Sequence, residues 1–460
     1  MRNYEQYKRI VKFIFSIIVL SLEMVVFWYI WLNYYNQRME SPYNRTGHWL
    51  MVTVYGIFLV LFNILYGGLK VGYLRTGIMI YSQFLATFGA NVMAYLQITL
   101  LTKSFQKVFP LLIMTIVEFV VICIWSFLST RLYRFLYPSR SVLLIYGEHP
   151  VAGLMGKIHT RNDRFIIGET MHISAGIKSI KEKIDKYQGV VICDIPSHMR
   201  NMILKYCYEK AIRTYSTPKI SDVIIRSSES LHLFDTPLLL SRNNGLSFDQ
   251  RVIKRVVDIA LSLTALILLS PIFMATAIAI KMYDGGPVFY FQERCTINRH
   301  VFRICKFRSM IVDAEKEGCS IPAANQDPRI TPIGKVIRAT RIDELPQIFN
   351  ILKGDMSIVG PRPERVEHVE LYTKQIPEFV YRMKVKGGLT GYAQVYGKYN
   401  TTAYDKLKLD LMYIQNYSLL LDIEIIFKTV KILFLKESTE GFDVEEVEAI
   451  TSESRIKKTE

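Results

Sequence analysis

Residues 256–280 read VVDIALSLTALILLSPIFMATAIAI, and the placement of this run decides the rest of the chain. It is long enough for the roughly 20 apolar residues that a bilayer span needs. Ser270-Pro271 sits inside it. Proline removes a backbone donor and clashes with the preceding turn, so a kink is expected there. Arg251, Lys254 and Arg255 precede the run and Lys281 follows it. Basic residues at both ends suit a helix that dips into the membrane and returns to the same face. A kinked helix that simply crosses is the alternative, and it would put everything after residue 281 on the far side.

Upstream lie four more apolar stretches, at about 10–32, 50–66, 78–101 and 109–129. Each approaches the length of a span. The first is too long for a signal peptide and lacks a small-residue cleavage site, so a retained membrane helix is expected. Glu23 and Glu118 fall inside the first and fourth stretches. A carboxylate in a span is costly, so each is expected to face another helix. Arg2, Lys8, Arg9 and Lys12 precede the first stretch, while Arg131, Arg134 and Arg140 follow the fourth. That distribution places both ends of the four-helix region in the cytoplasm.

Composition agrees. Half of the 460 residues are hydrophobic, the mean hydropathy is +0.18, and 12% are aromatic. The net charge of +16 suits a phosphate-bearing partner: nucleic acid, anionic lipid or a phosphorylated substrate. The apolar content and the lack of any zinc-finger, basic-zipper or RNA-binding signature argue against nucleic acid. Six cysteines, Cys123, Cys193, Cys207, Cys295, Cys305 and Cys319, include no CxxC pair. A disulfide framework and thiolate metal site are not expected, and a reducing compartment fits.

Between the two membrane regions the pattern changes. Ser141–Tyr146, Phe165–Ile167 and Val190–Cys193 read as strands, with helical patterns at 177–187 and 198–212. Strands alternating with helices predict a small parallel α/β domain. Its first turn is Gly147-Glu-His149-Pro150-Val-Ala-Gly153. His149 stands where a dinucleotide fingerprint needs its second glycine, and Pro150 lacks an N–H, so a structural or regulatory role is expected over cofactor binding. Downstream, 402–415 and 419–435 read as amphipathic helices, and the second fits either the membrane surface or the core. The polar tail 437–460 is expected to be disordered.

Charge is densest between 290 and 365. Lys306 and Arg308 follow a strand-like run, Arg338 and Arg341 precede Asp343-Glu344, and Arg362 lies between two prolines. Phosphoryl transfer from a sugar diphosphate needs cations to neutralise the phosphates, and Arg binds phosphate bidentately. Mg²⁺ prefers carboxylate oxygens, and a carboxylate can also be a nucleophile. Adjacent residues on a helix point about 100° apart, so Asp343 and Glu344 can serve different groups.

The arrangement Arg338-Ala-Thr-Arg-Ile-Asp343-Glu344-Leu-Pro-Gln347, then Asn350, Leu352–Ser357 and Val359-Gly-Pro-Arg-Pro363, resembles the signature block of the bacterial polyprenyl-phosphate phosphoglycosyl transferases. Gln292-Glu293-Arg294 with Lys306–Met310, Lys386–Gly391, Ala393–Val395 and Tyr413–Asp422 resemble further motifs of that family, covering 250–436. The four apolar stretches and α/β insert resemble its large subclass, which begins exopolysaccharide, capsule or O-antigen assembly.

The resemblance implies transfer of a hexose-1-phosphate from a UDP-sugar, glucose or galactose favoured, to undecaprenyl phosphate, with release of UMP. It implies Asp343 as nucleophile in a covalent phosphosugar intermediate and Glu344 as ligand of Mg²⁺. Lys306, Arg308, Arg338 and Arg362 match phosphate-binding positions, and Ser270-Pro271 the break of a re-entrant helix. The fold implied is membrane α plus α/β: four transmembrane helices (1–135), a Rossmann-like α/β domain (136–245), and a monotopic catalytic domain (246–436) with the re-entrant helix at about 252–281. The location implied is the bacterial inner membrane, multi-pass, with the catalytic domain cytosolic. The partners implied are the lipid bilayer, a second copy of the chain and other polysaccharide-assembly proteins.

Four positions depart from the family pattern: Gly387 where Pro is usual, Arg341 where a small residue is common, and Thr296 and Arg299 where glycines are common. Two other readings touch parts of the sequence. A membrane-bound nucleotide-sugar dehydratase or epimerase would need the dinucleotide fingerprint and a Tyr-xxx-Lys pair; Tyr404/Lys408 has that spacing, but so does Tyr4/Lys8. A non-catalytic scaffold is opposed by the intact Asp343-Glu344 and arginine set.

Overall fold

The computed structural model describes residues 4–147, 152–241, 245–312, 327–397 and 401–433. The chain divides into two compact units at 217/218. The tail 437–460, Cys319, and His149 and Pro150 of the first α/β turn lie outside the described residues.

The first unit begins with four long helices, α1 (Lys8–Ile30), α2 (Arg45–Tyr66), α3 (Thr76–Thr102) and α4 (Phe109–Leu136). All four are long and apolar enough to cross a membrane. Their outer faces expose Ile57, Ile64, Ile116, Ile124 and Phe127. Inside, Ala86, Ala90 and Ala94 form a buried small-residue seam on α3, four residues apart. Such seams let membrane helices approach closely. The polar groups point inward. Thr87 Oγ1 donates to Glu23 Oε2 at 2.8 Å, joining α3 to α1. Asn91 Nδ2 donates to Glu118 Oε2 at 2.7 Å, and the Tyr55 hydroxyl lies 2.9 Å from Glu118 Oε1. Each intramembrane carboxyl thus faces another helix.

A four-stranded parallel sheet follows: β1 (Arg140–Tyr146), β2 (Phe165–His172), β3 (Gly189–Cys193) and β4 (Arg213–Ser216), in the order β2-β1-β3-β4. Helices α5 (Ala152–His159), α6 (Ile177–Ile184) and α7 (Ser197–Glu209) connect them. The central strand β1 buries Val142–Ile145 completely, the continuous apolar run of a strand covered on both faces. At Gly147 a Cβ would sit 2.1 Å from the Asp194 carbonyl, so only glycine allows the ends of β1 and β3 to lie this close. The Glu5 carboxylate binds both Arg140 and Arg213, clamping the N-terminal segment to the sheet.

In the second unit, α8 (Ile220–Arg226) and the exposed hairpin β5 (Glu229–Leu233) and β6 (Thr236–Leu240) precede α9 (Phe248–Asp284). Helix α8 packs into the core of this unit through Val223, so the division falls ahead of the expected 245/246 boundary. Helix α9 contains the apolar run 256–280 and continues through Pro271. The proline leaves the carbonyl of Ile267 without its helical donor, and the Ser270 hydroxyl donates to that carbonyl at 2.8 Å. The exposed face of α9 is apolar, with Ile267, Leu268 and Met274 at 73%, 71% and 66% exposure. Its buried face is polar at the N-terminal end. Lys254 Nζ meets Asp422 Oδ2 at 2.6 Å, Asp258 Oδ1 accepts from Ile358 N, and Arg255 caps the carbonyls of Ile351 and Leu352. This inversion is what a helix bathed in lipid and anchored to a polar body requires.

The rest of the unit is built on two small sheets. Antiparallel β7 (Phe289–Cys295) and β8 (Val301–Phe307) form a hairpin, and β9 (Ser357–Val359) pairs parallel with β10 (Gly388–Thr390). Helices α10 (Pro332–Ala339), α11 (Gln347–Lys353), α12 (Val366–Gln375), α13 (Tyr392–Tyr396), α14 (Ala403–Gln415) and α15 (Leu419–Leu433) surround them. Helix α15 places Ile425 in the core and leaves Leu420 exposed.

The Lys254–Asp422 pair is buried and also receives the Tyr413 hydroxyl at 2.8 Å. Lys254→Met strands a buried carboxylate and is expected to cost about 3–5 kcal/mol. Thermal unfolding in nanodiscs should show that loss, and Lys254→Met with Asp422→Leu should recover most of it.

Candidate functional site

Three segments converge around Asp343-Glu344. The first is β8, which carries Lys306. The second is the 3₁₀ turn Ile342–Glu344, entered through Arg341 at φ 56°. That left-handed conformation favours glycine. The third is the loop after β9, which carries Arg362. Asn350 fixes the first two segments together. Its Oδ1 accepts from Cys305 N at 2.9 Å and its Nδ2 donates to the Arg303 carbonyl at 2.8 Å. The motif asparagine thus locks α11 onto β8 beside Lys306.

Glu344 is the centre of the charge. Arg362 lies 2.7 Å from its Oε1, Lys306 at 3.7 Å and Arg341 at 4.0 Å. Its side chain is only 13% exposed. Burial pushes its pKa up, but Arg362 and Lys306 overcome this and hold the carboxylate well below the usual range. Asp343 is moved the opposite way. Burial, then the negative charge of Glu344, raise its pKa to about 6, against the pull of Lys306, Arg338 and Arg362. Burial lowers Lys306 to about 8, with Glu344 opposing that shift. Two neighbouring carboxyls are therefore split: one locked as an anion, the other poised near neutrality.

A second, buried layer supports Arg362. The Arg382 guanidinium bonds Asp410 Oδ2 at 2.7–2.9 Å, donates to the Arg362 carbonyl at 3.0 Å, and lies 3.5 Å from Glu364. Lys406 stands 3.7 Å from Glu364. Burial opposes ionisation of Glu364, yet Arg382 and Lys406 bring its pKa down to about 2. Arg294 donates to the Pro363 carbonyl at 3.1 Å and to Gln292. Arg294, Lys306, Gln347 and Arg362, with Ile304, Pro363 and Gly388, line one recess.

The sequence-derived candidates separate here. Lys306, Asp343, Glu344 and Arg362 gather. Arg338 stands on α10, and its charge reaches Asp343. Arg308 is bound bidentately by Asp284 at the end of α9, through Nη1 at 2.6 Å and through Nη2. Ser270 and Pro271 belong to α9. Arg294, Glu364, Arg382 and Asp410 were not singled out. Arg294 lay in a quoted motif, but the Arg382–Asp410 pairing spans 28 residues and left no local signal.

The departures at 296 and 387 are matched. Gly387 N donates to Thr296 Oγ1 at 3.0 Å, and Thr296 donates to the Asp355 carbonyl at 3.1 Å. A proline at 387 has no N–H to give. A Cβ at 387 would also come within 2.6 Å of Pro363 Cγ. Arg299 has φ 60°, the conformation for which glycine is suited.

A cluster of cations around one fixed carboxylate and one titratable carboxyl can bind a polyanion and present a nucleophile or base to it. Comparison with known proteins agrees with this chemistry. Residues 249–436 match the family model described as "Bacterial sugar transferase". The chain is 34% identical over 388 residues to a UDP-N-acetylgalactosamine-undecaprenyl-phosphate N-acetylgalactosaminephosphotransferase of Aeromonas hydrophila, covering 79% of this chain and 85% of that protein. It is 38% identical over 254 residues to a UDP-glucose:undecaprenyl-phosphate glucose-1-phosphate transferase of Klebsiella pneumoniae, 54% of this chain and 53% of that one. It is 40% identical over 199 residues to Galactosyl transferase CpsE of Streptococcus agalactiae serotype III, 41% of this chain and 43% of that one. The chain thus spans about half or less of the latter two.

The charge coupling is directly measurable. In Glu344→Gln the Asp343 carboxyl loses its negative neighbour, and its pKa should fall from about 6 toward the ordinary carboxylate range. Carbon-13 NMR titration of aspartate carboxyls would read the shift, and an unchanged Asp343 would contradict this electrostatic account.

Proposed function

Because the chain belongs to the bacterial sugar transferase family, we propose that it transfers a hexose-1-phosphate from a UDP-hexose to undecaprenyl phosphate. The observation that carries the reading is the split pair: Asp343 beside Glu344, ringed by Lys306, Arg341 and Arg362. An ionised Asp343 oxygen attacks the sugar-proximal phosphorus. The bond from that phosphorus to the bridging oxygen breaks, and UMP leaves with the electron pair. An oxygen of undecaprenyl phosphate then attacks the same phosphorus and displaces Asp343, giving undecaprenyl-diphospho-sugar. Lys306 and Arg362 neutralise the diphosphate, and Arg338 adds charge near Asp343. The Arg382–Asp410–Glu364 layer holds the Arg362 backbone in place.

Magnesium suits this donor set in one way only. Among the described residues no group of three or more His, Cys, Asp and Glu gathers, so a cage made by the protein alone is excluded there. Mg²⁺ bound through one or two carboxylates and completed by phosphate oxygens and water is compatible with the Asp343-Glu344 pair. Glu344 would hold it, and the ion would supply charge neutralisation on the diphosphate.

Helix α9 is read as re-entrant in the bacterial cytoplasmic membrane, with the second unit on the cytosolic side. Both of its halves touch the same short helix: Arg255 caps the carbonyls of α11, and the Phe273 ring meets Phe349 of α11 at 5.9 Å. That supports two helix ends on one side of the bilayer. The relatives divide on the sugar, so the donor is chosen by a panel of UDP-glucose, UDP-galactose and UDP-N-acetylgalactosamine.

UMP release by the purified protein, with Mg²⁺ and undecaprenyl phosphate, tests the reading. Lipid-dependent UMP release is expected with one donor of the panel, and Asp343→Asn should abolish it. Release of UDP, or full activity of Asp343→Asn, would overturn the mechanism. The pH profile follows from the two shifted groups. Asp343 acts ionised, so kcat/KM should fall tenfold per pH unit below about 6. Lys306 acts protonated, so the rate should fall again above about 8. Lys306→Arg should keep the acid limb and remove the alkaline one, since arginine stays charged beyond pH ~12.

A further inference from the structure

Gln347 opens α11, three residues after Glu344, and is 2% exposed. Its Nε2 is buried and has no hydrogen-bond partner among the described residues. Burying an amide donor unpaired costs about 1–3 kcal/mol, so such groups are uncommon in folded proteins. Its surroundings show what is missing. The recess it lines is too tight for a water molecule in the free protein, so a ligand must part its walls to reach the amide; it is shared with Arg294, Lys306 and Arg362, and the remaining lining residues are Ile304, Pro363 and Gly388. Every polar side chain there offers a donor. Of Glu344, the oxygen that meets Lys306 and Arg362, Oε1, is already taken by both. A recess with surplus donors is complementary to a ligand made of acceptor oxygens.

We propose that Gln347 is a substrate-binding residue whose Nε2 donates to an oxygen of the bound nucleoside diphosphate, beside Lys306 and Arg362. The inference deepens the proposed function and rests on its assignment of this recess to the UDP-sugar. The amide does here what a further cation could not. It adds a donor without adding charge, so it leaves the balance between Asp343 and Glu344 undisturbed. The orphan state in the free protein is then a stored deficit that the ligand fills.

The test uses the full-length protein in nanodiscs and UDP as the probe, with two variants. Gln347→Met keeps the volume and removes the donor; Gln347→Glu keeps the shape and turns the donor into an acceptor. Calorimetry reads the Kd for UDP, and thermal unfolding reads the ligand-free Tm. The expected result for Gln347→Met is a Tm equal to or above wild type and a Kd raised about 10–100-fold, the loss of one hydrogen bond to a charged group. Gln347→Glu should weaken UDP further. An unchanged Kd in Gln347→Met would overturn the proposal and leave the amide as a packing group. No UDP binding by wild type would overturn it too. UDP binding that depends on Gln347, in a protein that releases no UMP from any UDP-hexose, would sustain this inference while sinking the transfer reaction.

Discussion

Everything at the site depends on keeping the Glu344 carboxylate charged while it is nearly out of water. Arg362, Lys306 and Arg341 gather on one of its oxygens, and Arg362 and Lys306 together outweigh its burial. The consequence falls on its neighbour. Buried itself, and with one negative charge fixed beside it, Asp343 resists ionising and holds its proton to near neutrality. The same cations that pin Glu344 also pull on Asp343, which limits how far its affinity rises. The protonation of one residue is therefore set in part by the fixed charge of the other, and Arg382 holds the Arg362 backbone beside that charge.

The membrane parts of the fold were legible because lipid enforces one rule over about 20 consecutive residues, and composition alone reveals it. The stretches at 50–66, 78–101 and 109–129 lie within α2, α3 and α4, and 10–32 fills α1 and runs into the π-helical turn Trp31–Tyr35 that follows it. The parallel strands β1 and β3 were equally clear, since a strand covered on both faces is apolar throughout. Strand β2 was read as 165–167 but runs on to His172, because its alternate residues are exposed and Glu169 and Thr170 break the apolar run. Strand β4, Arg-Thr-Tyr-Ser at the sheet edge, carried no apolar signal at all.

The site divides the same way. Asp343, Glu344, Lys306 and Arg362 were visible as types of residue suited to phosphate chemistry in an ordered block. Their gathering was not visible, since it depends on Asn350 joining β8 to α11 across 45–47 residues. Arg308 looked equal to Lys306 two positions away. The fold gives it a structural partner instead, Asp284, where α9 leaves for the hairpin. Charge density marks a neighbourhood, but only tertiary structure assigns each cation its anion.

The Thr296–Gly387 hydrogen bond has an implication for how such enzymes diverge. The threonine hydroxyl needs the N–H that proline lacks, and the glycine leaves room that any Cβ would take from Pro363. The two positions are 91 residues apart and on different strands' flanks. The two positions depend on each other, so a graft of the 386–391 segment that puts proline at 387 would remove the hydrogen bond Thr296 accepts and crowd Pro363. The shape of the two loops is thus set jointly, and exchanging one of them intact means moving both halves together.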